Sequence, residues 1–244
     1  MRIEADTHTH TIASTHAYST VLEMAKSASE AGLKAIAITD HSTGGSDAPH
    51  IWHFHNLSRA IPRKLFDVNM IFGVECDIVD FNGNLAFGPS ELERLDWVVA
   101  SIHGNYNMAG GTIDDYTNAY IGVAQNPYVD VIGHPIYPAY KPDYEKVVPV
   151  FKEYGKFVEI NESAIPRSVK TINNALELIG VCKKYRVPVI VNSDAHFCMS
   201  VGKFDNALKM LKDNNYPEEL IVNTKWENIK AHIENKKGRI NTCL

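Results

Sequence analysis

Short apolar runs alternate with amphipathic stretches along the chain, and nearly every apolar run stops at a histidine or an acid. The first run, Ile3-Glu4-Ala5-Asp6, is too short for a helix and predicts a strand. A helix follows over about residues 21–31, with Ser19 or Thr20 as its cap and Gly32 as its end. Residues 34–39 form a second buried strand, so the helix between the two makes a βαβ unit and a parallel sheet. Five more strands are predicted over residues 68–79, 97–102, 129–132, 156–161 and 188–192. Helices over about 113–124, 143–154 and 172–185 separate the later strands, and helices near 204–212 and 226–236 close the chain. Residues 42–49 read as loop, the 50–55 segment as an aromatic cover over the sheet's mouth, and Asn82-Gly83 as a tight turn closing a small hairpin.

Seven strands alternating with helices predict an α/β chain folded as a TIM-barrel-like (β/α) barrel, one domain over residues 1–244. In such barrels chemistry gathers at the C-terminal ends of the strands. Six of the seven predicted strand ends carry, in order, His8 and His10, His41, Glu75, His103, His134, and Asp194 with His196. His8 and His10, two residues apart, project side by side from a strand end and can converge on one metal ion. Glu75 lies inside Gly73-Val74-Glu75-Cys76, and an acid in so apolar a run is costly unless paired or metal-bound.

Composition changes the picture little. Hydrophobic content of 45% and charged content of 22% are ordinary for a globular protein. The net charge of -5, without a Lys/Arg block, argues against a nucleic-acid binder. No apolar stretch approaches a membrane span, and Met1-Arg2-Ile3-Glu4 lacks a signal peptide's apolar core, so the expected compartment is the cytoplasm. Cys76, Cys182, Cys198 and Cys243 show no metal-binding spacing and read as free thiols.

Asp6-Thr7-His8-Thr9-His10, Thr39-Asp40-His41, Gly73-Val74-Glu75, Ile102-His103, Gly133-His134-Pro135 and Ser193-Asp194-Ala195-His196 together resemble the PHP (polymerase and histidinol phosphatase) superfamily. The likeness is closest to its YcdX-type branch of probable phosphatases, through residues 13–20, Asp47-Ala48-Pro49-His50 and Trp52-His53-Phe54. The resemblance implies a distorted seven-stranded barrel and a trinuclear metal centre. Carried over residue by residue, it implies a first metal on His8, His10 and Asp194, with Glu75 bridging to a second on His103 and His134. A third metal would take His16, His41 and His196.

Such a centre sets seven imidazoles and two carboxylates against three divalent ions, a formal charge of about +4 that calls for a small anionic substrate such as a phosphoester. Imidazole-rich ligation favours Zn²⁺, with Mn²⁺ or Fe²⁺ behind it. The expected reaction is hydrolysis of a phosphate monoester by a metal-bound hydroxide. Glu75, Asp194 and His196 are expected to take part, with Asp6 orienting an imidazole. Arg63, His50 and Asn161, with Ser163, are the candidates for substrate contact. Three rival readings remain: a phosphodiesterase or 3′-5′ exonuclease of the same superfamily, an amidohydrolase-like C–N hydrolase, and a non-enzymatic metal-binding module. A nuclease needs a basic or aromatic track, which the sequence lacks. The amidohydrolase type often bridges its metals with a lysine, where this chain has Glu75.

Overall fold

In the computed structural model, which describes residues 1–45, 48–104, 106 and 108–242, the apolar runs become neighbouring strands of one sheet. Ser46 and Asp47 of the predicted loop, and Cys243, lie outside the described residues. The chain begins β1 (Ala5–Asp6), α1 (Val21–Glu30), β2 (Ala35–Ile38), α2 (Trp52–Ala60), β3 (Lys64–Leu65) and β4 (Val68–Asp77). It continues α3 (Pro89–Leu92), β5 (Trp97–Ser101), α4 (Ile113–Ala124), β6 (Val131–Ile132), α5 (Tyr144–Glu153) and β7 (Phe157–Asn161). It ends with α6 (Val169–Tyr185), β8 (Val189–Asn192), α7 (Asp205–Asp213) and α8 (Trp226–Thr242). The spatial order is β1-β2-β4-β5-β6-β7-β8 with every pairing parallel, which is the predicted (β/α) barrel.

Three elements differ from the sequence reading, the least of them the four-residue helix α3, which it did not predict. β3 pairs antiparallel with the start of β4 around Phe66-Asp67, both at positive φ, a turn that normally announces itself with Asn or Gly. The 50–55 segment opens helix α2, which buries Phe54 and Leu57 one turn apart and leaves Trp52 exposed. No side chain caps the start of α2, so the usual N-terminal signal is missing. By contrast, Thr20 and Glu23 form a reciprocal capping box at α1, and Gly32 follows at φ 72°.

The strands are layered from start to end. Ala5, Ala35, Ile71, Trp97, Val131, Phe157 and Ile190 fill the lower barrel, and Ile229 of α8 plugs it from below. Further along the same inward rows come Glu75 and Asp77 on β4, Glu159 and Asn161 on β7, and Asn192 on β8, all buried. The two-residue strand period therefore converts an apolar-to-polar gradient in sequence into a dry floor under a polar chamber.

Closure between β8 and β1 uses side chains. Asn223 is fully buried in the seam, where its Nδ2 donates to the carbonyls of Ala5 (2.8 Å) and Val191 (2.5 Å), and its Oδ1 accepts from Val191 N at 3.1 Å. Higher up, Thr7 N and Oγ1 donate to Asn192 Oδ1 (2.9 and 2.8 Å), and backbone bonds complete the seam: Asp194 N donates to His8 O (3.0 Å) and His10 N to Ala195 O (2.9 Å).

α8 is tied to the floor through Asp130, which accepts from Lys236 Nζ at 2.5 Å and from His232 Nε2 at 2.8 Å. Burial alone would raise the Asp130 carboxyl, but Lys236 and His232 hold it below its ordinary value. A depressed folded-state pKa stabilises the fold above the unfolded value, about 3.9, and that stability is lost as pH falls through the lower one. Lys236→Met should therefore move the acid-unfolding midpoint to higher pH and cost about 3 kcal/mol at neutral pH, read by denaturant titration. An unchanged midpoint would mean that the pair does not hold α8.

Cys76 and Cys182 are buried free thiols, and burial pushes the former up to about 12. Among the described residues no helix is long and apolar enough to cross a membrane.

Candidate metal centre

The C-terminal mouth of the barrel holds a cavity of about 400 Å³ whose walls include His16, His41, Glu75, His103, His134, Asp194 and His196. His8 and His10 lie beneath it, fully buried. All nine ligand candidates from the sequence thus converge at one end of the fold.

Four of them face one point. His8 Nε2 and His10 Nε2 are 3.1 Å apart, and Glu75 Oε2 lies 3.3 and 3.4 Å from them. Asp194 Oδ1 lies 3.1 Å from His10 Nε2 and 3.6 Å from His8 Nε2. A tetrahedral ion with bonds of about 2.0–2.1 Å requires its donors to stand about 3.3 Å apart. The five donor–donor distances above, 3.1 to 3.6 Å, lie close to that spacing. Glu75 Oε2 and Asp194 Oδ1 are also buried without a hydrogen-bond partner. Buried carboxylate oxygens are costly in that state, and a cation among these four atoms removes the cost.

Glu75 faces a second direction through Oε1, which lies 3.1 Å from His103 Nε2 and 2.8 Å from His134 Nε2. A third group forms at the rim, where His196 Nε2 lies 2.8 Å from His16 Nε2 and the rings of His16 and His41 are 5.1 Å apart. His41 is shared: its Nδ1 is 3.0 Å from Glu75 Oε2, and its ligand atoms cluster with His10 and His196 on one side and with Glu75 and His103 on the other.

Local charge suits ligation. Burial opposes ionised Glu75, but the imidazoles of His103, His8 and His41 outweigh it and hold the carboxyl well below its usual range. Burial and the neighbouring His41 keep His10 neutral, with a pKa of about 3, which is the form that binds a metal.

The rear atoms are carboxylates that sequence reading passed over. His8 Nδ1 faces Glu159 Oε1 at 2.7 Å, and His103 Nδ1 faces Asp77 Oδ1 at 2.7 Å. Such partners fix the tautomer and aim the other ring nitrogen at the metal. Glu159 is fully buried and saturated: Oε1 also accepts from Asn192 Nδ2 (2.9 Å), and Oε2 accepts from His134 N (2.8 Å) and Asn161 Nδ2 (3.0 Å). It thus holds His8 by its ring and His134 by its backbone. The signal was available, since Glu159 sits between Val158 and Ile160 as Glu75 sits between Val74 and Cys76. Asp40 does a similar task at the rim, accepting from Thr11 N (2.7 Å), Ser14 Oγ (2.8 Å) and His53 Nε2 (2.9 Å), and so pins the loop that presents His16.

Glu159→Gln should weaken metal binding at the His8 position by about 10–100-fold, measured by chelator competition. It removes the charge behind the imidazole and sets an amide donor against donors. Unchanged affinity would leave Glu159 a purely structural group.

Four expectations need correction. Asp6 does not orient an imidazole; it accepts from Ser193 N (3.1 Å) and Gly202 N (3.3 Å), bracing the loop that carries Asp194 and His196. β1 ends at Asp6, so strand parity does not carry from there to His8. Arg63 pairs with Asp96 and lies over the Phe72 ring, its carbonyl bonded to Met70 near the start of β4, away from the mouth. His50 is exposed, its ring edge-on to Trp52, and is absent from the walls of the cavity. Asn161 is buried and donates to Glu159 and, at 3.2 Å, to Asp194 Oδ2, supporting a ligand instead of meeting substrate.

Two ligand candidates, His134 (φ 25°) and Asp194 (φ 53°), occupy left-handed backbone. Non-glycine residues there cost about 1–3 kcal/mol and gather at functional sites. The chain passes close before His134, where a Cβ on Gly133 would stand 2.1 Å from Ser101 Oγ. Arg167, Tyr137 and Tyr140 also line the cavity, and no strand-end pattern pointed to them.

A family model described as PHP domain matches residues 6–163. A probable phosphatase of Caldanaerobacter subterraneus subsp. tengcongensis is 43% identical over 241 residues, 98% of this chain and 94% of that protein. One of Acetivibrio thermocellus is 44% identical over 240 residues, 98% and 99% of the two chains. Among solved structures, histidinol phosphate phosphatase from Lactococcus lactis subsp. lactis, complexed with zinc, L-histidinol and phosphate, is similar in fold with a TM-score of 0.64. At 17% identity, that likeness covers 89% of this chain and 95% of the other.

Proposed function

The chain belongs to the PHP domain family and is a phosphatase, and we propose that it is a phosphomonoesterase whose nine ligands hold three divalent transition-metal ions. The observation that carries this reading is the His8, His10, Glu75 and Asp194 cluster, with donor spacings of 3.1 to 3.6 Å and two carboxylate oxygens without donors. In this reading His8, His10 and Asp194 would hold the first ion, Glu75 would be shared with the second on His103 and His134, and His16, His41 and His196 would hold the third. The dominance of imidazole favours zinc, with manganese or iron as alternatives. When bound, such ions acidify water toward neutral pH and neutralise charge on phosphate oxygens.

The remaining work falls to the chain. Glu159 and Asp77 keep the His8 and His103 rings in the ligating tautomer, and Asp6 and Asn161 keep Asp194 in its left-handed conformation. Arg167 has no carboxylate partner among the described residues and lines the same cavity, which suits it to grip phosphate oxygens bidentately. The amidohydrolase alternative calls for a bridging lysine, and no lysine lines this cavity among the described residues.

Elemental analysis of protein purified without chelator should find more than one transition metal per chain. A strong chelator should abolish phosphate release from monoesters, and Zn²⁺ or Mn²⁺ should restore it. A content at or below one metal per chain would overturn the three-ion centre, and chelator-resistant turnover would overturn the site.

A further inference from the structure

A second cavity of about 550 Å³ opens beside the metal chamber and shares His16, Arg167, Asp194 and His196 with it. For a phosphoester whose phosphate lies in the first, this shared wall leaves room for the alcohol portion in the second. The aromatic faces bounding the second lobe, Tyr18 and Phe197, are largely exposed and leave room for a small organic group.

The charge of the lobe decides which group. Beyond the shared wall its ionisable side chains are Glu162 and Lys203. Glu162 is committed to the start of α7: Oε1 accepts from Asn206 N (3.1 Å) and Asn206 Nδ2 (2.6 Å), and Oε2 accepts from Ala207 N (2.8 Å). Its negative charge is thereby offset by the positive end of the helix. Lys203 has no carboxylate within ion-pair distance among the described residues, and neither has Arg167, whose guanidinium lies 5.6 Å from the Tyr137 ring centre. With Asp194 in the ligand cluster and Glu162 spent on α7, Lys203 and Arg167 are the charges of this lining left to meet a ligand.

From this we infer that the second lobe selects phosphomonoesters whose alcohol carries a negative charge of its own, a carboxylate or second phosphate read by Lys203, with Arg167 on the phosphate beside it. The inference rests on the phosphatase reading above. It also separates this chain from enzymes that act on esters of cationic amino alcohols. Here an ammonium group would meet two cations and a carboxylate already spent on a helix, and like charges at close range discriminate strongly against a ligand.

The test compares three small esters on metal-loaded protein: 3-phosphoglycerate (anionic alcohol), glycerol 3-phosphate (neutral) and phosphoethanolamine (cationic). kcat/KM should fall in that order by about fivefold per step, the worth of one partly exposed charge contact. Lys203→Glu should flatten or invert the order. Equal kcat/KM for the three esters, or an order that Lys203→Glu leaves intact, overturns the inference while the phosphatase reading stands. If no ester releases phosphate, the phosphatase reading itself falls, and calorimetry still decides the lobe. Tighter binding of 3-phosphoglycerate than of glycerol 3-phosphate, lost in Lys203→Glu, supports it, and equal affinities overturn it.

Discussion

Glu75→Gln is expected to lower kcat on the order of a thousandfold even at saturating substrate, and to lower metal content with it. Glu75 sends one carboxylate oxygen toward His8, His10 and His41 and the other toward His103 and His134. Glutamine keeps the shape and one acceptor oxygen but loses the negative charge and the symmetric bridge. The two ions proposed on either side would then share no counter-charge, and the amide nitrogen would oppose whichever it faced. His16→Asn makes the informative comparison, because His16 is exposed and pairs with His196 at the rim. It should lower kcat/KM while leaving measurable turnover and most of the metal. Metal counts and full kinetics on both variants, with folding checked by circular dichroism, separate the two roles. A Glu75→Gln protein that kept its metals and near-normal kcat would remove Glu75 from the bridging position.

The largest effect on stability is expected at Asn223, far from the chemistry. Asn223→Ala should cost about 3–5 kcal/mol, because it leaves the carbonyls of Ala5 and Val191 and the amide of Val191 buried without partners. For a chain of this size that corresponds to a fall in Tm of about 10 °C. Calorimetry on metal-free and metal-loaded protein checks it. The metal-loaded form should be partly rescued, since the ligand candidates that follow β1 (His8, His10) and β8 (Asp194, His196) span the same seam. A loss of less than about 2 °C in the metal-free protein would show that Asn223 does not hold the barrel closed.

Arg63 and Glu159 show where sequence reasoning worked and where it stopped. Both were visible as charged residues in telling positions. Glu159 obeys the rule that exposed Glu75, an acid between apolar neighbours on a strand, and that rule applied evenly would have found it. Arg63 was attractive because its guanidinium matches phosphate, but side-chain chemistry does not say which end of the barrel a residue occupies. β3, which places Arg63 near the barrel floor, is a two-residue strand behind a turn without glycine or asparagine. Asp6 failed for another reason: parity is a property of regular strand, and the strand ends there.

The pattern of apolar runs ending in His, Glu or Asp, by itself, pointed to the barrel, its direction and eight of the nine side chains gathered at its mouth; His16, in a polar loop, came only through the family resemblance. These depend on local periodicity and on the rule that parallel strands linked by helices all present the same end. What only the tertiary structure decided is everything that needs two distant segments at a known distance. His8 and Glu159 are 151 residues apart, Asp6 and Ser193 are 187, and the seam residue Asn223 bonds Ala5 across 218. A hydrogen bond of 2.7 to 3.1 Å discriminates between partners on a scale that residue type and spacing cannot resolve. The second lobe has the same origin, because its charge depends on Glu162 being bonded to α7 while Lys203 is not.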